Sequence, residues 1–309
     1  MEEIKKKSFL TPSGLISRCL AFSEKFTTLR KVIANTLDII KPVKNIGYKA
    51  MLLAITLLIS SASPDRTDFK VDVVVIDAGH GGHDSGTLGS KTKEKDVVLK
   101  IALKLGGFIK ENLKDVKVIY TRDSDKFIEL GERANIANRN HADVFISIHA
   151  NSLPSTTPDA RKQSIYGTET YVMGLHKTDE NFEVSKRENS VILLEENYKE
   201  KYEGFDPDSP ESYILFSLSQ SANQESSLLL ASKVEDQFGT RAGRRSRGVK
   251  QAGFVVLYKT SMPSILIETG FLSNTKEERD LGDDKVQDYI ASAIYRAFKE
   301  YKIQIESVN

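Results

Sequence analysis

The sequence has little of three features that mark other classes of protein. It contains one cysteine in 309 residues, Cys19, so neither an intrachain disulfide nor a cysteine-rich zinc site can form. It has no excess of either charge, with 44 Lys and Arg against 43 Asp and Glu, so a broad nucleic-acid-binding surface is not expected. Its apolar run at residues 50–59 is too short to span a bilayer, which needs roughly 20 residues.

The first 62 residues differ in charge from the rest of the chain. They hold 10 basic and 4 acidic residues, and this basic stretch leads into the apolar run at 50–59. A positive flank, a short apolar core and the small residues Ser60, Ser61 and Ala62 are typical of a secretory signal peptide. We therefore predict a leader over 1–62, cleavage after Ala62, and export to the periplasm or cell envelope. The alternative is a buried core segment at 50–59, since the stretch before it is unusually long for a signal peptide.

From residue 70 onward, β-branched runs alternate with segments of helical periodicity. Strands are predicted at 71–76, 116–121, 144–148, 168–172, 254–257 and 265–267, and helices at 93–114 (capped by Thr92), 129–140, 226–238 and 286–301. This alternation predicts one α/β domain over 70–303, with a mostly parallel twisted sheet flanked by helices. Residues 176–224 depart from the pattern. Val184, Val191, Leu194 and Tyr198 recur there at helical spacing, which predicts an amphipathic helical insertion.

Four side chains fall at strand or helix ends on one edge of the predicted sheet. His80 and His149 each come at the end of a strand, and Glu94 begins the next helix. Ligands of open parallel sheets bind outside the carboxyl ends of the strands, so these groups can share one crevice. Two His and one carboxylate make a zinc set with a fourth position open for water. Glu268, after the strand at 265–267, is placed to act as the general base of such a water.

Each of these residues has a simpler interpretation when taken alone. A lone His at a strand end is more often a hydrogen-bonded polar residue than a metal ligand. Glu94 lies in a charged run typical of a solvated helix start, and Glu268 is an acid that follows three apolar residues. The glycine-rich loop at 79–89 lacks the spacing of a phosphate-binding loop. The prediction therefore depends on the four groups together.

The motifs that carry these residues resemble the zinc-dependent N-acetylmuramoyl-L-alanine amidases. The matching stretches, in order along the chain, are DAGHGGHDSG at 77–86, EKD at 94–96, SIHAN at 147–151, RGVK at 247–250 and ETGFLSN at 268–274. The resemblance covers about residues 71–302. It implies one Zn²⁺ per chain bound by His80, Glu94 and His149, with Glu268 as the catalytic glutamate. It implies hydrolysis of the amide between N-acetylmuramic acid and L-alanine in peptidoglycan. His83 is predicted to lie outside the metal shell.

The insertion at 176–224 resembles one that amidases of Gram-negative cell separation carry. In those enzymes it forms a helix over the zinc site, and a partner protein displaces it. Glu188, Glu195 and Glu196 are the candidates here for a carboxylate that occupies the open zinc position and blocks catalysis. The resemblance therefore implies autoinhibition and a protein activator. No nucleic-acid partner and no requirement for a transmembrane partner are predicted. A solvated surface helix is the alternative.

The sequence leaves two other functions possible and does not decide the role of one basic cluster. The chain could be a catalytically silent, zinc-containing module that binds peptidoglycan, or a zinc peptidase on a similar frame. The cluster consists of Arg241, Arg244, Arg245 and Arg247. It could meet the anionic stem peptide, although a run of this kind is more often a solvated helix end. No substrate-binding residue is predicted.

Overall fold

The computed structural model describes residues 70–218 and 223–307. The predicted leader at 1–62, its apolar core at 50–59 and Cys19 lie outside the described residues. Within the described ranges, no helix combines the length and the apolarity that crossing a membrane requires.

Strands and helices alternate along most of the described chain. The strands are β1 (Val73–Ala78), β2 (Lys117–Tyr120), β3 (Val144–Asn151), β4 (Thr168–Met173), β5 (Ser246–Ala252) and β6 (Ser264–Phe271). The helices are α1 (Glu94–Asn112), α2 (Leu130–Arg139), α3 (Asp159–Ser164), α4 (Asp179–Asn189), α5 (Tyr198–Lys201), α6 (Pro210–Leu218), α7 (Gln224–Thr240), α8 (Val255–Tyr258), α9 (Thr275–Gly282) and α10 (Asp284–Ser307), with a 3₁₀ turn at Ser190–Leu194.

The six strands form one mostly parallel sheet in the order β2-β1-β3-β6-β4-β5. Neighbouring strands run parallel except β4 and β6, which are antiparallel. The central strands β3 and β6 are buried along their whole length, as expected for strands covered on both faces. The edge strand β5 is polar and half-exposed, which protects an edge from pairing with other chains. The predicted fold class, one α/β domain with a mostly parallel sheet flanked by helices, is confirmed.

Alternate residues of each strand enter two separate cores. One face packs against α1, α7 and α10 through side chains such as Ile76, Ile148 and Ile267. The opposite face packs against α2, α8 and the insertion through Val75, Phe145, Leu266 and others. The insertion contributes Val184, Val191, Ile192, Tyr202, Phe205 and Tyr213 to this second core. It is therefore part of the packed interior of the domain rather than a solvated surface helix.

Three predictions about local structure are wrong. Residues 254–257 lie in the short helix α8, and the strand instead precedes them as β5, whose polar sequence concealed it. Thr92 does not cap α1, because its hydroxyl donates to Glu278 and the N-cap position is occupied by Lys93. The single amphipathic helix of the insertion is broken into several short elements, and Leu194 is half-exposed instead of sharing a buried face with Val191.

A buried ion pair supports the carboxyl end of β1. Arg133 of α2 and Asp77 are both fully buried, and Arg133 Nη1 donates to Asp77 Oδ1 at 2.8 Å. Thr121 and Ser147 donate to the same carboxylate at 2.6 and 2.7 Å. Burial by itself would raise the pKa of Asp77, but Arg133 and these hydroxyls hold it below its usual value. Arg133 also donates to the carbonyl of His80, so this pair fixes the loop that follows β1.

We expect Asp77→Asn to lower the free energy of unfolding by about 3 kcal/mol, because it leaves Arg133 buried without its counter-charge. Urea denaturation at one fixed zinc concentration measures the loss. The difference in free energy of unfolding between the wild type and Asp77→Asn should shrink as the pH falls below about 4, where the carboxyl of the unfolded chain takes up its proton. Asp72→Asn, an exposed change near the same strand, should alter stability by no more than about 0.5 kcal/mol. Equal losses in both variants would contradict this account.

Candidate metal centre and active site

Three elements bring His80, Glu94 and His149 together at the carboxyl ends of β1 and β3. His80 lies in the loop after β1, Glu94 is the first residue of α1, and His149 lies near the end of β3. His80 Nε2 is 3.1 Å from Glu94 Oε1, and His149 Nδ1 is 3.2 Å from the same oxygen. All three side chains are buried. The structure therefore assembles the three residues that the sequence grouped by their positions at element ends.

The backbone of the glycine-rich loop allows His80 to come close to Glu94. His80 itself has a φ of 60°, in the left-handed region that non-glycine residues rarely occupy. A Cβ at Gly86 would lie 2.6 Å from the His80 ring and 2.7 Å from Glu94 Oε2. The loop therefore needs glycine at position 86 because any side chain there would displace both groups.

Hydrogen bonds orient each of these side chains. His80 Nδ1 lies 2.7 Å from Asp84 Oδ2, which leaves Nε2 to face the centre of the cluster. The backbone nitrogens of Ala150 and Thr87 donate to the two oxygens of Glu94 at 2.9 and 2.8 Å. A partner on the far ring nitrogen and fixed carboxylate oxygens are the outer contacts that well-ordered metal ligands use.

The insertion adds a fourth group to the cluster. Glu188, near the end of α4, is 4% exposed, and its Oε2 lies 2.9 Å from His149 Nδ1 and 3.2 Å from His80 Nε2. One ligand atom from each of His80, Glu94, His149 and Glu188 lies within 4.8 Å of the others. Two nitrogens and two oxygens around one point match the tetrahedral N/O coordination that Zn²⁺ favours. His80 Nε2 and Glu188 Oε2 are also buried without a hydrogen bond among the described residues. The cluster therefore fits a divalent metal.

The cluster also perturbs the ionisation of its members. Burial alone would lower the pKa of each imidazole, but the carboxylates of Glu94 and Glu188 raise it for both His80 and His149. Burial alone would raise the pKa of Glu188, whereas His149 and Arg187 hold it well below its usual value. The carboxylates therefore require a cation nearby. A bound metal would provide one while leaving the imidazoles neutral, as ligation requires.

Glu268 lies beside this cluster on the next strand. It is fully buried in β6, directly opposite His149 in the register of β3 and β6. Arg187 of α4 reaches it, with Nη2 at 3.4 Å from Glu268 Oε1 and 2.9 Å from Glu188 Oε1. Burial and the charge of Glu188 raise the pKa of Glu268, and Arg187 opposes that shift. Arg187 is a site residue that sequence reasoning missed, although it directly precedes Glu188.

The other candidates lie away from the cluster. Glu195 accepts hydrogen bonds from the Leu130 nitrogen and the Tyr202 hydroxyl, at 2.8 and 2.7 Å, so it joins the insertion to α2. Glu196 is exposed. His83 stacks on Phe127 with ring centroids 4.1 Å apart. Of the three glutamates that the sequence left open, only Glu188 contacts His80 and His149.

The four arginines of the basic cluster do not form one surface. Arg244 is buried and donates to the Thr269 carbonyl and to Glu277, at 2.9 and 2.8 Å. Arg241 is exposed, and Arg245 lies over the ring of Tyr166. Arg247 lines a cleft instead. A solvated helix end therefore does not describe the group, because only part of it faces solvent.

A large cleft lies beside the cluster, between α4 and the end of the sheet that carries β4 and β5. Its volume is about 2160 Å³, and its lining includes Asn151, Glu169, Arg187, Arg247 and Lys250. A cleft of this size can hold an extended, branched polymer segment as well as a small molecule.

The chain is similar to known amidases over most of its described length. Residues 74–300 match the sequence profile of the N-acetylmuramoyl-L-alanine amidase family. The chain is 36% identical to the N-acetylmuramoyl-L-alanine amidase AmiC of Escherichia coli O6:H1 over 233 residues, which is 74% of this chain and 52% of that protein. The chain therefore spans about half the length of this relative.

Solved structures give the same assignment of fold. An N-acetylmuramoyl-L-alanine amidase from Clostridium difficile 630 is 29% identical, with a TM-score of 0.54, and the match covers 75% of this chain and 97% of that one. The CwlD amidase from Clostridioides difficile, in complex with the GerS lipoprotein, is 26% identical, with a TM-score of 0.53, and the match covers 77% of this chain and all of that one.

We expect the full-length chain to bind one Zn²⁺, and His149→Ala to weaken that binding by more than about 100-fold. Substitution of groups outside the metal shell already costs roughly 10–100-fold, and His149 is within the cluster. Isothermal titration calorimetry of the zinc-stripped protein measures the change. His83→Ala serves as the matched control and should bind zinc as the wild type does. Equal affinity in His149→Ala and His83→Ala would contradict the ligand assignment.

Proposed function

The chain belongs to the N-acetylmuramoyl-L-alanine amidase family, and on this basis we propose that it hydrolyses the amide joining N-acetylmuramic acid to L-alanine in peptidoglycan. The observation that carries the proposal is the buried cluster of His80, Glu94, His149 and Glu188, with Glu268 opposite His149 on the adjacent strand. Such a site offers ligands for a metal and a carboxylate for a general base. These are the two requirements for hydrolysis of an unactivated amide.

We propose that residues 70–303 form the catalytic domain and that His80, Glu94 and His149 hold the zinc ion. Two imidazoles and one carboxylate leave a fourth position for water or substrate, which distinguishes a catalytic zinc site from a structural one. When bound, the ion would lower the pKa of a water ligand towards about 7 and polarise the scissile carbonyl. Asp84 holds the His80 ring in the orientation that ligation needs, through the 2.7 Å contact at Nδ1.

Glu268 is proposed as the general base and acid. It takes a proton from the attacking water as the oxygen–carbon bond forms at the lactyl carbonyl. It then gives that proton to the nitrogen of L-alanine as the carbon–nitrogen bond breaks. The products are a muramic acid carboxylate and a stem peptide with a free amine.

We expect Glu268→Gln to lower the release of stem peptides from peptidoglycan by at least about 100-fold while keeping the zinc content, because the proton acceptor is lost. Mass spectrometry of the released fragments identifies the bond. Intact stem peptides with a free L-alanine amine support the amidase, and zinc chelation should abolish their release. Cleavage inside the stem would identify a peptidase. No release by a folded, zinc-loaded protein, including the Glu188→Ala form, would favour a binding module.

Glu188 is proposed to inhibit this site in the form described here. Its carboxylate lies where the fourth zinc ligand would be, 2.9 and 3.2 Å from the two imidazole nitrogens. Arg187 reinforces the block because the same helix sets a guanidinium against Glu268. Asn189 anchors the end of that helix, since its side chain donates to the Gly253 carbonyl and accepts from the Val255 nitrogen.

Activation then requires a partner that moves α4. The helix is attached to the second core through Val184, and the following turn through Val191 and Ile192, so thermal fraying alone would displace it rarely. A protein that binds the insertion and stabilises the displaced form would supply the missing free energy. The structure of an amidase of this fold in complex with a lipoprotein supports regulation by a protein partner.

We expect Glu188→Ala to raise basal amidase activity by about tenfold or more, because it removes the carboxylate next to His80 and His149 and weakens the hold on α4, which raises the population of the active form. The measurement is dye or fragment release from sacculi at equal protein concentration. A single substitution is preferred to deletion of 178–214, since deletion would strip side chains from the second core. Glu196→Ala, an exposed glutamate of the same insertion, is the matched control and should stay at the wild-type rate. Unchanged activity in a folded Glu188→Ala protein would contradict the inhibition.

The cellular role follows from the substrate. Peptidoglycan lies outside the cytoplasmic membrane, so we propose an exported enzyme of the periplasm or cell envelope, with residues 1–62 as the leader. An activity that is inhibited until a partner arrives suits daughter-cell separation or wall remodelling, where cleavage must be confined to one place.

A further inference from the structure

Two cationic side chains share one buried carboxylate at the floor of the cleft. Arg247 Nε lies 2.6 Å from Glu169 Oε1, and Lys250 Nζ lies 2.5 Å from the same oxygen. The other oxygen of Glu169 accepts from the Tyr171 hydroxyl at 2.8 Å and from Asn151 Nδ2 at 3.0 Å. Glu169 is only 2% exposed, so its hydrogen-bonding capacity is used within the protein.

This arrangement leaves one positive charge uncompensated. Neither Arg247 nor Lys250 makes a second ion pair among the described residues, and both side chains line the cleft, 25% and 20% exposed. Arg247 uses only Nε for Glu169, and its two terminal nitrogens have no partner within the described part of the chain. Such a pair of nitrogens can bind a carboxylate in a two-point contact.

The surroundings hold both cations in place. The Arg247 guanidinium lies 5.3 Å from the centre of the Phe271 ring, and Lys250 Nζ lies 5.9 Å from the centre of the Tyr171 ring. Basic residues on an edge strand often do no more than prevent edge-to-edge pairing. Here, however, a buried glutamate and two aromatic rings hold the charged ends inside a cleft. This arrangement is typical of a binding site.

The sheet places this site at a defined distance from Glu268. Glu169 of β4 pairs directly with Glu268 of β6, and Lys250 of β5 pairs with Tyr171 of β4. The site is thus two strand spacings from Glu268, which is about 10 Å at about 4.8 Å for each spacing. An extended peptide covers that distance in about three residues.

We propose that Arg247 and Lys250 bind a carboxylate carried by the second or third residue of the stem peptide, on the leaving side of the scissile amide. The inference rests on the proposed amidase function. In the intact substrate the lactyl carboxyl group is consumed in the amide, so the muramic acid carries no charge there. A cationic site near the catalytic groups therefore recognises the peptide and sets its direction in the cleft.

The test uses the full chain, as wild type and as Glu188→Ala, on muramoyl-tripeptides that differ by one group. One substrate carries free carboxylates on its second and third residues, D-glutamate and meso-diaminopimelate. Two others replace by a carboxamide either the free carboxylate of D-glutamate or the side-chain carboxylate of meso-diaminopimelate, and the C-terminal carboxylate is amidated in all three. We expect kcat/KM to fall about tenfold for one of the amidated substrates, as for loss of a charge-assisted hydrogen bond. The substrate that loses rate identifies the carboxylate.

Arg247→Gln and Lys250→Gln should each remove that preference. Their kcat/KM should fall about tenfold on the acidic substrate and stay within about twofold on the sensitive amidated one. A purely structural role would lower both rates alike, so the acid-to-amide ratio separates the two explanations. Arg245→Gln, an arginine of the same run that lies outside the cleft, is the matched control and should keep the wild-type ratio.

The outcomes for the two proposals are distinct. If the wild type and Glu188→Ala hydrolyse all three substrates equally well, the carboxylate site is wrong and the amidase function stands. If they hydrolyse none, the amidase function fails, and calorimetry with the free tripeptide decides about the site. Tighter binding of the acidic tripeptide than of its diamide, lost in Arg247→Gln, would then support it, and equal binding would overturn it.

Discussion

Compensation of buried negative charge is the constraint on which this site depends. Glu94, Glu188, Glu268 and Glu169 are each no more than 4% exposed, and they form a row from the His/Glu cluster through Glu268, which pairs with both His149 and Glu169. Carboxylates removed from water are unstable as anions unless cations or donors face them. The protein provides imidazoles at one end of this row, Arg187 in the middle, and Arg247 with Lys250 at the other end. The imidazoles of the His/Glu cluster and the cations Arg247 and Lys250 in the cleft both neutralise buried carboxylates.

The insertion links this charge balance to the stability of the fold. Its apolar side chains complete the second core, while Arg187 and Glu188 on α4 satisfy charges at the end of the sheet. Moving the helix would therefore break both packing and ion pairs, and would leave carboxylates and imidazoles to a metal, water and substrate. This double attachment stabilises the arrangement described here, so the proposed displacement of α4 would need the binding energy of another molecule.

The fold and the candidate catalytic groups were largely predictable because both follow from local patterns. Buried strands of a parallel sheet are apolar throughout, which marks β1, β3 and β6 clearly, and a polar residue at the end of such a run stands out. The prediction of a strand at 254–257 was wrong for the same reason. The apolar residues there form the short helix α8, while the true strand β5 carries Arg247 and Lys250 and has the composition of a polar edge. Apolar character indicates burial, and it distinguishes strand from helix poorly in short segments.

The sequence by itself determined the α/β fold class, the grouping of His80, Glu94, His149 and Glu268, and the presence of a helical insertion, because each is encoded by residue type and spacing along the chain. Only the tertiary structure decided that Glu188, rather than Glu195 or Glu196, faces the cluster, that Arg187 contacts Glu268, and that Glu169 holds two cations. These contacts join residues far apart in sequence. They depend on strand register and on how the insertion breaks into short helices, and long-range packing sets both.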